Sequence, residues 1–409
     1  MAGKAKRDMT IEQKLAHGPI DLPFLALVML LTAVGLIMLL SASFASAMYN
    51  LDPDVDTGGD PMYYFNRQFI FAVFGVVAMF VISKIDYQHF RWMSIFVLAG
   101  AVVLMALVVF TPLGRSGGGA LRWIKIGPIR FQPSEIAKIG VILFFAARLS
   151  KRNTQIGPPK KWNRRTSLGR FLEWLDNIGF LELVPYGIAL VVVLGVIYLQ
   201  GHMSAMILVV VAAASVLFAA GISLGWFIAG GTLIGGALIF IITQTEYMTA
   251  RIKVWQDPLS DLKNDGFQPW QSRIAIGSGG LLGTGLGNSR QKYLFLPEEH
   301  NDYIFSIVCE ELGMVGAVVI MALFALLIIR GYWLAIHARD RFGTLLIVGI
   351  VSLTGMQVFF NIGVVTGFLP PTGISLPFFS YGGTALMIQL AEMGMILSVS
   401  RQIAAPKAE

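Results

Sequence analysis

Charged residues and cysteine are both scarce in this sequence. Only 13% of its 409 residues are Asp, Glu, Lys or Arg, and Cys309 is the single cysteine. One cysteine cannot form an intramolecular disulfide, and it excludes zinc sites built on several thiolates. The sequence also contains no G-x-G-x-x-G, Walker or H-E-x-x-H motif, so dinucleotide binding, P-loop chemistry and zincin chemistry are not indicated.

Apolar residues fill the chain instead. They make up 56% of the sequence, and its mean hydropathy is +0.70. Because about 20 consecutive apolar residues span a bilayer as a helix, this composition excludes a soluble globular domain and predicts an all-α polytopic membrane protein. Ten candidate spans can be placed, near residues 22–43, 68–83, 93–111, 134–149, 183–199, 204–220, 226–242, 303–329, 344–365 and 384–399. The first is too long for a signal peptide, so we expect it to remain uncleaved.

The positive charges are distributed as in a membrane protein, so the net charge of +7 does not indicate a nucleic-acid partner. We place the N-terminal segment 1–21 in the cytoplasm. The ten spans then put the basic loop 150–182 and the tail 401–409 on the same side, as the positive-inside rule requires. The transmembrane domain covers residues 22–400. Three loops face outwards: 112–131, the large polar loop 243–302 between the seventh and eighth spans, and 366–383.

Two of the outward loops nevertheless carry many cations. Those in the first are Arg115, Arg122, Lys125 and Arg130, and those in the second include Arg251, Lys253, Lys263, Arg273, Arg290 and Lys292. One interpretation is that long translocated loops do not obey the charge rule. The other is that these cations bind an anionic ligand, such as a phosphate group, at the membrane surface.

The start of the fourth span carries an acid and a base on one helix face. Pro133 suits a first helical turn, with Gln132 or Ser134 as a cap. Glu135 favours the positive end of the helix dipole, and Lys138 follows one turn later. The pair is either a structural ion pair or part of an interior cavity in which Lys138 meets a phosphate or a catalytic carboxylate. The depth of Lys138 in the membrane favours the cavity.

Ionisable groups also cluster where the polar loop meets the eighth span. They are Glu298, Glu299, His300, Asp302, Glu310 and Glu311. A helix N-terminus, with Asn301 as N-cap and Asp302 in the first turn, would explain why one of these acids is present. A partly desolvated carboxylate at this place could instead act as a general base, or several could hold a divalent cation through oxygen ligands. Glu310 and Glu311 lie deeper, and we expect them to satisfy backbone groups of the loop.

Two further segments could line such a cavity. Trp123 lies between Arg122 and Lys125, either as an interfacial anchor or to stack on a sugar ring. The loop 366–383 is broken by prolines and cannot continue a helix, and irregular backbone at that depth is tolerated where it lines a cavity. Its segment 380–383, which begins with Ser380, is a candidate.

These motifs together resemble the SEDS (shape, elongation, division, sporulation) family, the FtsW/RodA/SpoVE group. The resemblance is carried by GGALRWIKIGPIRFQPSEIAK (118–138), QSRIAIGSGGLLGTGLGNSRQKYLFLPEEHNDYIFSIVCEELG (271–313) and LPFFSYGG (376–383), and it covers nearly the whole chain. The form GLGNSRQK is most similar to the FtsW branch. One departure is His202, which stands in QGHMS where many members have QPDLG. A cation-binding role of that segment is therefore doubtful here.

The resemblance implies ten transmembrane helices in the bacterial plasma membrane, with both termini cytoplasmic. It also implies a peptidoglycan glycosyltransferase that polymerises lipid II at the outer face, with a class B penicillin-binding protein as partner and other divisome or elongasome proteins nearby. Asp302 would be the general base of an inverting transfer onto lipid II from glycan linked to undecaprenyl pyrophosphate. A divalent cation, Mg²⁺ or Mn²⁺, is often required.

The candidate substrate-binding residues are Trp123, Glu135, Lys138, Arg273, Ser278, Lys292, Glu298, His300 and Ser380. Lys138, Arg273 or a metal ion would stabilise the departing pyrophosphate. Two alternatives belong to other classes. A lipid II flippase would need cavity cations more than the acidity of Asp302, and a non-catalytic division scaffold would need neither.

Overall fold

The computed structural model describes residues 18–50, 55–117, 120–126, 129–151, 170, 173, 179–244, 246–263, 266–293, 295–297 and 299–403. Its elements in chain order are α1 (Leu22–Met48), α2 (Tyr63–Lys84), α3 (Gln88–Phe110), β1 (Gly114–Gly117), β2 (Ala120–Ile126), β3 (Ile129–Phe131), α4 (Pro133–Leu149), α5 (Phe180–Leu199), α6 (Met203–Ala219), α7 (Leu224–Gln244), α8 (Glu246–Gln256), a 3₁₀ turn (Pro258–Asp261), α9 (Phe267–Gly279), α10 (Ile304–Ile336), α11 (Arg341–Val365) and α12 (Gly383–Ser400). A helix therefore occurs at each of the ten predicted spans.

The helix starts follow from local chemistry. Asp21 caps α1 by accepting a hydrogen bond from the Phe24 backbone N–H, at 2.9 Å. Asp340 caps α11 in the same way through the Gly343 N–H, at 3.0 Å. Pro133 begins α4, where its missing N–H has no intrahelical partner to lose. The predicted role of Pro133 is therefore confirmed, whereas Gln132 makes no side-chain capping bond.

The outer surface of the bundle is apolar, as expected for a membrane protein. Seven helices in the described part of the chain are long and apolar enough to cross a bilayer: α1, α2, α3, α5, α10, α11 and α12. The helices α4 and α6 are shorter, at 17 residues each. Large apolar side chains point away from the protein, which suits contact with lipid; they include Phe69, Phe74, Phe96, Val191 and Phe218.

The helices pack around a continuous apolar core. The closest neighbours are α2 with α12, α3 with α4, and α10 with α11, while α6 packs on α4 and α11. Glycines allow close approach at some of these crossings. A Cβ at Gly75 would lie 2.6 Å from the Leu390 side chain, and one at Gly394 would lie 2.6 Å from the Met79 carbonyl oxygen. These two positions bring α2 and α12 into contact along much of their length.

Two segments that the sequence analysis treated as loops are folded. The first, between α3 and α4, is an antiparallel meander in the order β1-β2-β3, which pairs Arg115 with Trp123 and Lys125 with Arg130. The second is the large polar loop, in which α8, the 3₁₀ turn and α9 lie between α7 and α10. The helix α9 packs against α10.

The helix α10 is not continuous. Gly313 has φ 67° and ψ −171°, so the helix breaks there and resumes with the next turn. The glycine-rich segment after α9 lies in the break. Its Thr284 and Gly285 N–H groups donate to the carbonyls of Glu310 and Glu311, and its Gly280 carbonyl accepts from the Met314 N–H. The backbone groups freed by the break are thereby satisfied.

Candidate functional site

A cavity of about 810 Å³ lies at the end of the bundle where α2, α4, α6 and α12 begin. Its wall includes parts of the three loops 112–131, 243–302 and 366–383, which the charge distribution placed on the same side of the membrane. The polar and aromatic lining residues are Asp56, Tyr63, Arg67, Phe71, Arg122, Trp123, Lys125, Arg130, Gln132, Glu135, Lys138, His202, Ser204, Arg251, Gln268, His300, Asn301, Asp302, Gln357, Thr372, Ser375, Tyr381 and Thr384.

The charges around this cavity are mainly positive. The cations that line it are Arg67, Arg122, Lys125, Arg130, Lys138 and Arg251, whereas the acids are Asp56, Glu135 and Asp302. A cleft lined by one sign of charge concentrates ligands of the opposite sign. Four of the cations come from the two outward loops that departed from the positive-inside rule, so the placement favours the anionic-ligand interpretation of those loops.

Asp302 lies in this wall immediately before α10. The helix begins at Ile304 with Tyr303 as its N-cap. The expectation that Asn301 caps the helix and that Asp302 lies in its first turn is therefore wrong. Asn361 of α11 holds the segment by donating to the Asp302 carbonyl at 2.7 Å and to the Ile374 carbonyl at 2.8 Å.

The loop after α11 lies against the Asp302 side chain. A Cβ added at Gly373, whose φ is +69°, would be 3.2 Å from Asp302 Oδ2. Arg251 donates to the Pro371 carbonyl in the same loop, at 2.8 Å. Asp302 therefore faces the cavity from a wall formed by two loops.

His300 is packed among aromatic rings next to Asp302. Its ring lies 4.5 Å from that of Tyr64 and 5.9 Å from that of Tyr381, measured between centroids. Its carbonyl accepts from the Tyr381 N–H at 2.9 Å. Ser380 donates to the Asn301 carbonyl at 2.7 Å and accepts from the Leu376 N–H at 2.7 Å. Ser380 thus joins the loop before α12 to the segment of Asp302. Its hydroxyl hydrogen is already donated to the Asn301 carbonyl.

Glu135 and Lys138 form the ion pair that the sequence indicated, and both face the cavity. Lys138 Nζ lies 2.8 Å from Glu135 Oε2, and Lys138 is only 3% exposed. The two alternatives for this pair are compatible, because a buried lysine with one N–H used by Glu135 retains further donors for a ligand.

His202 stands beside the pair and carries no charge at neutral pH. Burial lowers its pKa to about 3, and the charges of Arg122 and Lys138 act in the same direction. Its Nδ1 lies 3.1 Å from the Gln132 side-chain nitrogen, which makes the ring nitrogen the acceptor. In this neutral ring the other nitrogen, Nε2, carries the hydrogen, so the segment contributes a neutral imidazole whose remaining polar group is a donor.

Trp123 reaches the cavity from β2, together with Arg122 and Lys125. The meander is fixed to the bundle by Thr384 of α12, which donates to the Arg130 carbonyl at 3.1 Å. The aromatic ring and the cations beside it are therefore presented by a folded sheet, which suits contact with a sugar that carries phosphate.

Besides Ser380, which lines a smaller adjoining space instead, three predicted substrate-binding residues do not line this cavity. Arg273 lies against Gly367 at the end of α11, and Ser278 is exposed and donates to the Ala275 carbonyl. Lys292 is buried elsewhere and donates to Glu311 Oε1 at 3.0 Å and to the Gly287 carbonyl at 2.7 Å. We therefore leave these three out of the proposed site. Glu298 is outside the described residues.

The deeper acids at the start of α10 hold the loop, as predicted. Glu310 accepts from the Ser289 hydroxyl at 2.5 Å and from the Arg290 N–H at 3.0 Å. Glu311 accepts from the Ser41 hydroxyl at 2.7 Å as well as from Lys292. The expectation that both carboxylates satisfy backbone groups of the loop is confirmed.

The described residues do not provide a metal centre of their own. Among them, no group of three or more His, Cys, Asp and Glu side chains is close enough to hold a metal ion. Mg²⁺ commonly takes only one or two protein carboxylates and completes its shell with water and substrate phosphate. We derive no step from a bound metal.

Several wall residues were missed in the sequence. Arg67 was missed because the predicted second span begins at residue 68, five residues after the start of α2. Gln357 and the segment 371–375 carry no motif, and only the fold brings them to Asp302. A buried acid in the last helix, Glu392, did have a signal, since an ionisable residue inside a predicted span is usually functional.

Comparison with known proteins agrees with this architecture. The family model for FtsW/RodA/SpoVE cell cycle proteins matches residues 21–405. The "Probable peptidoglycan glycosyltransferase FtsW" of Geobacter metallireducens is 37% identical over 383 residues, which cover 94% of this chain and 95% of the relative. The "Stage V sporulation protein E" of Bacillus subtilis is 37% identical over 381 residues, 93% of this chain and 97% of the relative.

Solved structures share the fold. A chain described under the structural coordination of polymerization and crosslinking by a peptidoglycan synthase complex is 26% identical, with a TM-score of 0.70 over 94% of this chain and 98% of that one. The rod shape determining protein RodA of Thermus thermophilus is 25% identical, with a TM-score of 0.64 over 95% of this chain and 98% of that one. These matches confirm the resemblance found in the sequence, and the chain is a multi-pass membrane protein that belongs to the FtsW/RodA/SpoVE family.

Proposed function

We propose that this protein is a peptidoglycan glycosyltransferase that polymerises lipid II into glycan strands at the outer face of the bacterial plasma membrane. The observation that carries the proposal is the position of Asp302 in the wall of a cavity with a surplus of cations and a half-buried aromatic ring, Trp123. Such a cavity suits a substrate made of sugars and a pyrophosphate. The names of the FtsW relatives agree with this activity.

The topology that we propose has ten membrane-spanning helices, α1 to α7 and α10 to α12, with both termini in the cytoplasm. The cavity then opens outwards, because every element that lines it contributes its outward end. The helices α8 and α9 lie in the outer loop. The positive-inside distribution of charge supports this orientation.

In the proposed reaction, the 4-hydroxyl of lipid II attacks the anomeric carbon of the growing glycan. The carboxylate of Asp302 takes the hydroxyl proton as general base. The new glycosidic bond forms as the bond to the lipid pyrophosphate breaks, and the pyrophosphate leaves with the electron pair. A single displacement of this kind inverts the anomeric centre.

The cations of the cavity would stabilise the leaving pyrophosphate. Charge that develops in a transition state is best stabilised by groups already held in place, and Lys138 is held by Glu135. Arg122, Lys125 and Arg251 can take the role that the sequence analysis gave to Arg273. We propose that a required Mg²⁺ or Mn²⁺ would enter with the substrate and would add positive charge at the pyrophosphate.

We propose a class B penicillin-binding protein, a transpeptidase, as the partner, within the larger set of divisome or elongasome proteins. The similarity to a chain from a peptidoglycan synthase complex supports this choice. In that assembly the glycan produced at the cavity would pass to the partner for crosslinking.

The test is polymerisation of purified lipid II by the protein with its partner transpeptidase. We expect polymer from wild type and none from Asp302→Asn, with partner binding and melting temperature retained. Asp60→Asn is the matched control, because Asp60 is an exposed acid near the start of α2 that does not line the cavity, and it should polymerise normally. Undiminished polymer from Asp302→Asn would remove Asp302 from the chemistry. Translocation of lipid II by liposomes, without polymer from wild type, would favour a flippase, and neither activity would favour a scaffold.

A further inference from the structure

A second, smaller chamber of about 40 Å³ adjoins the cavity. It is shared between α4, α11 and α12 and the loop before α12. Glu135 and Lys138 belong to the walls of both spaces, so the ion pair separates them. The other polar side chains around the chamber are those of Gln357, Ser375, Ser380, Tyr381, Gln389 and Glu392. A polar space of this size can hold water.

Glu392 is the deepest ionisable side chain of the chamber. It lies more than two turns inside α12 and is 5% exposed. Its carboxyl group makes no direct hydrogen bond or ion pair with the residues that the structure describes. A buried carboxyl group without partners is costly in a membrane protein, and such residues usually face an interior space and a group that interacts with them.

Burial is the largest influence on the Glu392 carboxyl group and opposes its charge. The Lys138 ammonium group favours that charge, and Glu135 opposes it. His202, which lies on the cavity side of Lys138, is neutral and does not compete for the ammonium group. Lys138 therefore stands between one carboxylate in the cavity wall and a second one deeper in the bundle.

We propose that Glu392 is a positioning residue, a second counter-ion that holds Lys138 from the chamber side and keeps its ammonium group at the floor of the cavity. An ammonium group has three N–H donors. Glu135 accepts one at 2.8 Å. A second, which reaches Glu392 through water in the chamber, leaves the third for an anionic group of a ligand. The identity of that anion as a lipid-linked pyrophosphate rests on the proposed function.

The experiment measures polymerisation of lipid II by the complex with its transpeptidase as a double-mutant cycle. The variants are Glu392→Gln, Lys138→Met and the double variant, and Ser398→Ala is the matched control, since Ser398 is buried in the same helix but lines neither space. We expect Glu392→Gln to lower kcat/KM about tenfold, mainly by raising KM, as for loss of one hydrogen bond to a charged group. In the Lys138→Met background the same change should have no further effect.

Charge-retaining Glu392→Asp should keep most of the wild-type kcat/KM. Equal losses from Glu392→Gln in both backgrounds would overturn the proposal, as would equal losses from Glu392→Asp and Glu392→Gln. A Glu392→Gln variant that polymerises like wild type would also overturn it.

A second double-mutant cycle uses the melting temperatures, measured without substrate, of wild type, Glu392→Gln, Lys138→Met and the double variant. Non-additive shifts for Glu392→Gln and Lys138→Met support the contact, and additive shifts overturn it. This cycle separates the two proposals. If wild type makes no polymer, the proposed function fails, and the melting cycle alone decides whether Glu392 holds Lys138.

Discussion

Gly313 of α10 and Gly283 of the loop after α9 are in backbone contact at the point where α10 breaks. A Cβ at Gly313 would overlap the Gly283 N–H, and a Cβ at Gly283 would overlap the Glu311 carbonyl. Both residues also have positive φ, 67° and 80°. Neither position can accept a side chain without displacing the loop from the helix.

Gly313→Ala should therefore destabilise the folded protein by roughly 2–3 kcal/mol, because steric overlap adds to left-handed backbone strain. The melting temperature of the detergent-solubilised protein is the measurement. Gly277→Ala is the matched control, since nothing lies within 4 Å of a Cβ at that position in α9. It should melt at or slightly above the wild-type temperature, because alanine favours a helix. If Gly313→Ala melted at the wild-type temperature, the steric overlap inferred at this position would be contradicted.

Lys292 and Glu311 form a buried ion pair beside this break, with exposed side-chain fractions of 2% and 0%. Removing one partner of such a pair leaves an uncompensated buried charge and typically costs about 3–5 kcal/mol. We expect Lys292→Met to lower the melting temperature strongly. The double variant Lys292→Met/Glu311→Leu should recover part of that loss, because no charge remains unpaired.

Polymerisation of lipid II by the double variant distinguishes a structural role of Lys292 from substrate binding. If Lys292 bound the substrate, the double variant would be stable yet unable to polymerise lipid II. Our placement of Lys292 outside the cavity predicts instead that its activity recovers along with its stability. Measuring both properties on one preparation decides between these roles.

The sequence was sufficient to place the helices but not the folded parts of the polar loops. Apolar runs fix where a helix can span a bilayer, and the predicted spans 134–149 and 384–399 differ from α4 and α12 by a residue at most ends. The meander was missed because its strands are short and its glycines resemble a loop. The break at Gly313 was missed because the apolar pattern continues through it, and only contact with the distant Gly283 requires it.

The candidate site was partly predictable for a similar reason. Asp302, Trp123, Glu135, Lys138 and His300 were named from motifs and from the depth of their charges, and the fold brings them to one cavity. The cations of the cavity were harder to predict. Composition cannot distinguish Arg251, which lines the cavity, from Lys292, which pairs with Glu311. That distinction depends on how the loop folds back onto α10.

His202 predicts a dependence of stability on pH. Burial lowers its pKa from 6.5 to about 3 in the folded protein. Between these values the unfolded chain binds a proton that the folded protein does not, so stability is lost as the pH falls below about 6.5. At pH 5 the loss from this residue is at most about 2 kcal/mol, from 1.36 kcal/mol per pH unit.

The measurement is the change in melting temperature between pH 7.5 and pH 5.0. His202→Gln should show a smaller decrease than wild type, because glutamine does not titrate. His337→Gln is the matched control, since His337 is exposed at the end of α10, and it should follow wild type. An identical pH response in His202→Gln and wild type would contradict the assignment.

Asn361 provides the sharpest test of how Asp302 is held. It is 1% exposed, and its side-chain nitrogen donates to the carbonyls of Asp302 and Ile374, which joins the two loops at the cavity wall. Asn361→Leu removes both hydrogen bonds while it keeps the number and branching of the side-chain heavy atoms. We expect the polymerisation rate at saturating lipid II to fall about tenfold or more, because small displacements of a base strongly reduce proton transfer.

The control for this change is Thr354→Val. Thr354 is also buried in α11, but its hydroxyl donates only to the Ile350 carbonyl of its own helix, at 3.0 Å. Both variants lose buried hydrogen bonds and should therefore melt below wild type. Only Asn361→Leu should lose turnover in the fraction that remains folded. If the two variants polymerise lipid II equally well per folded molecule, Asn361 stabilises α11 without positioning Asp302.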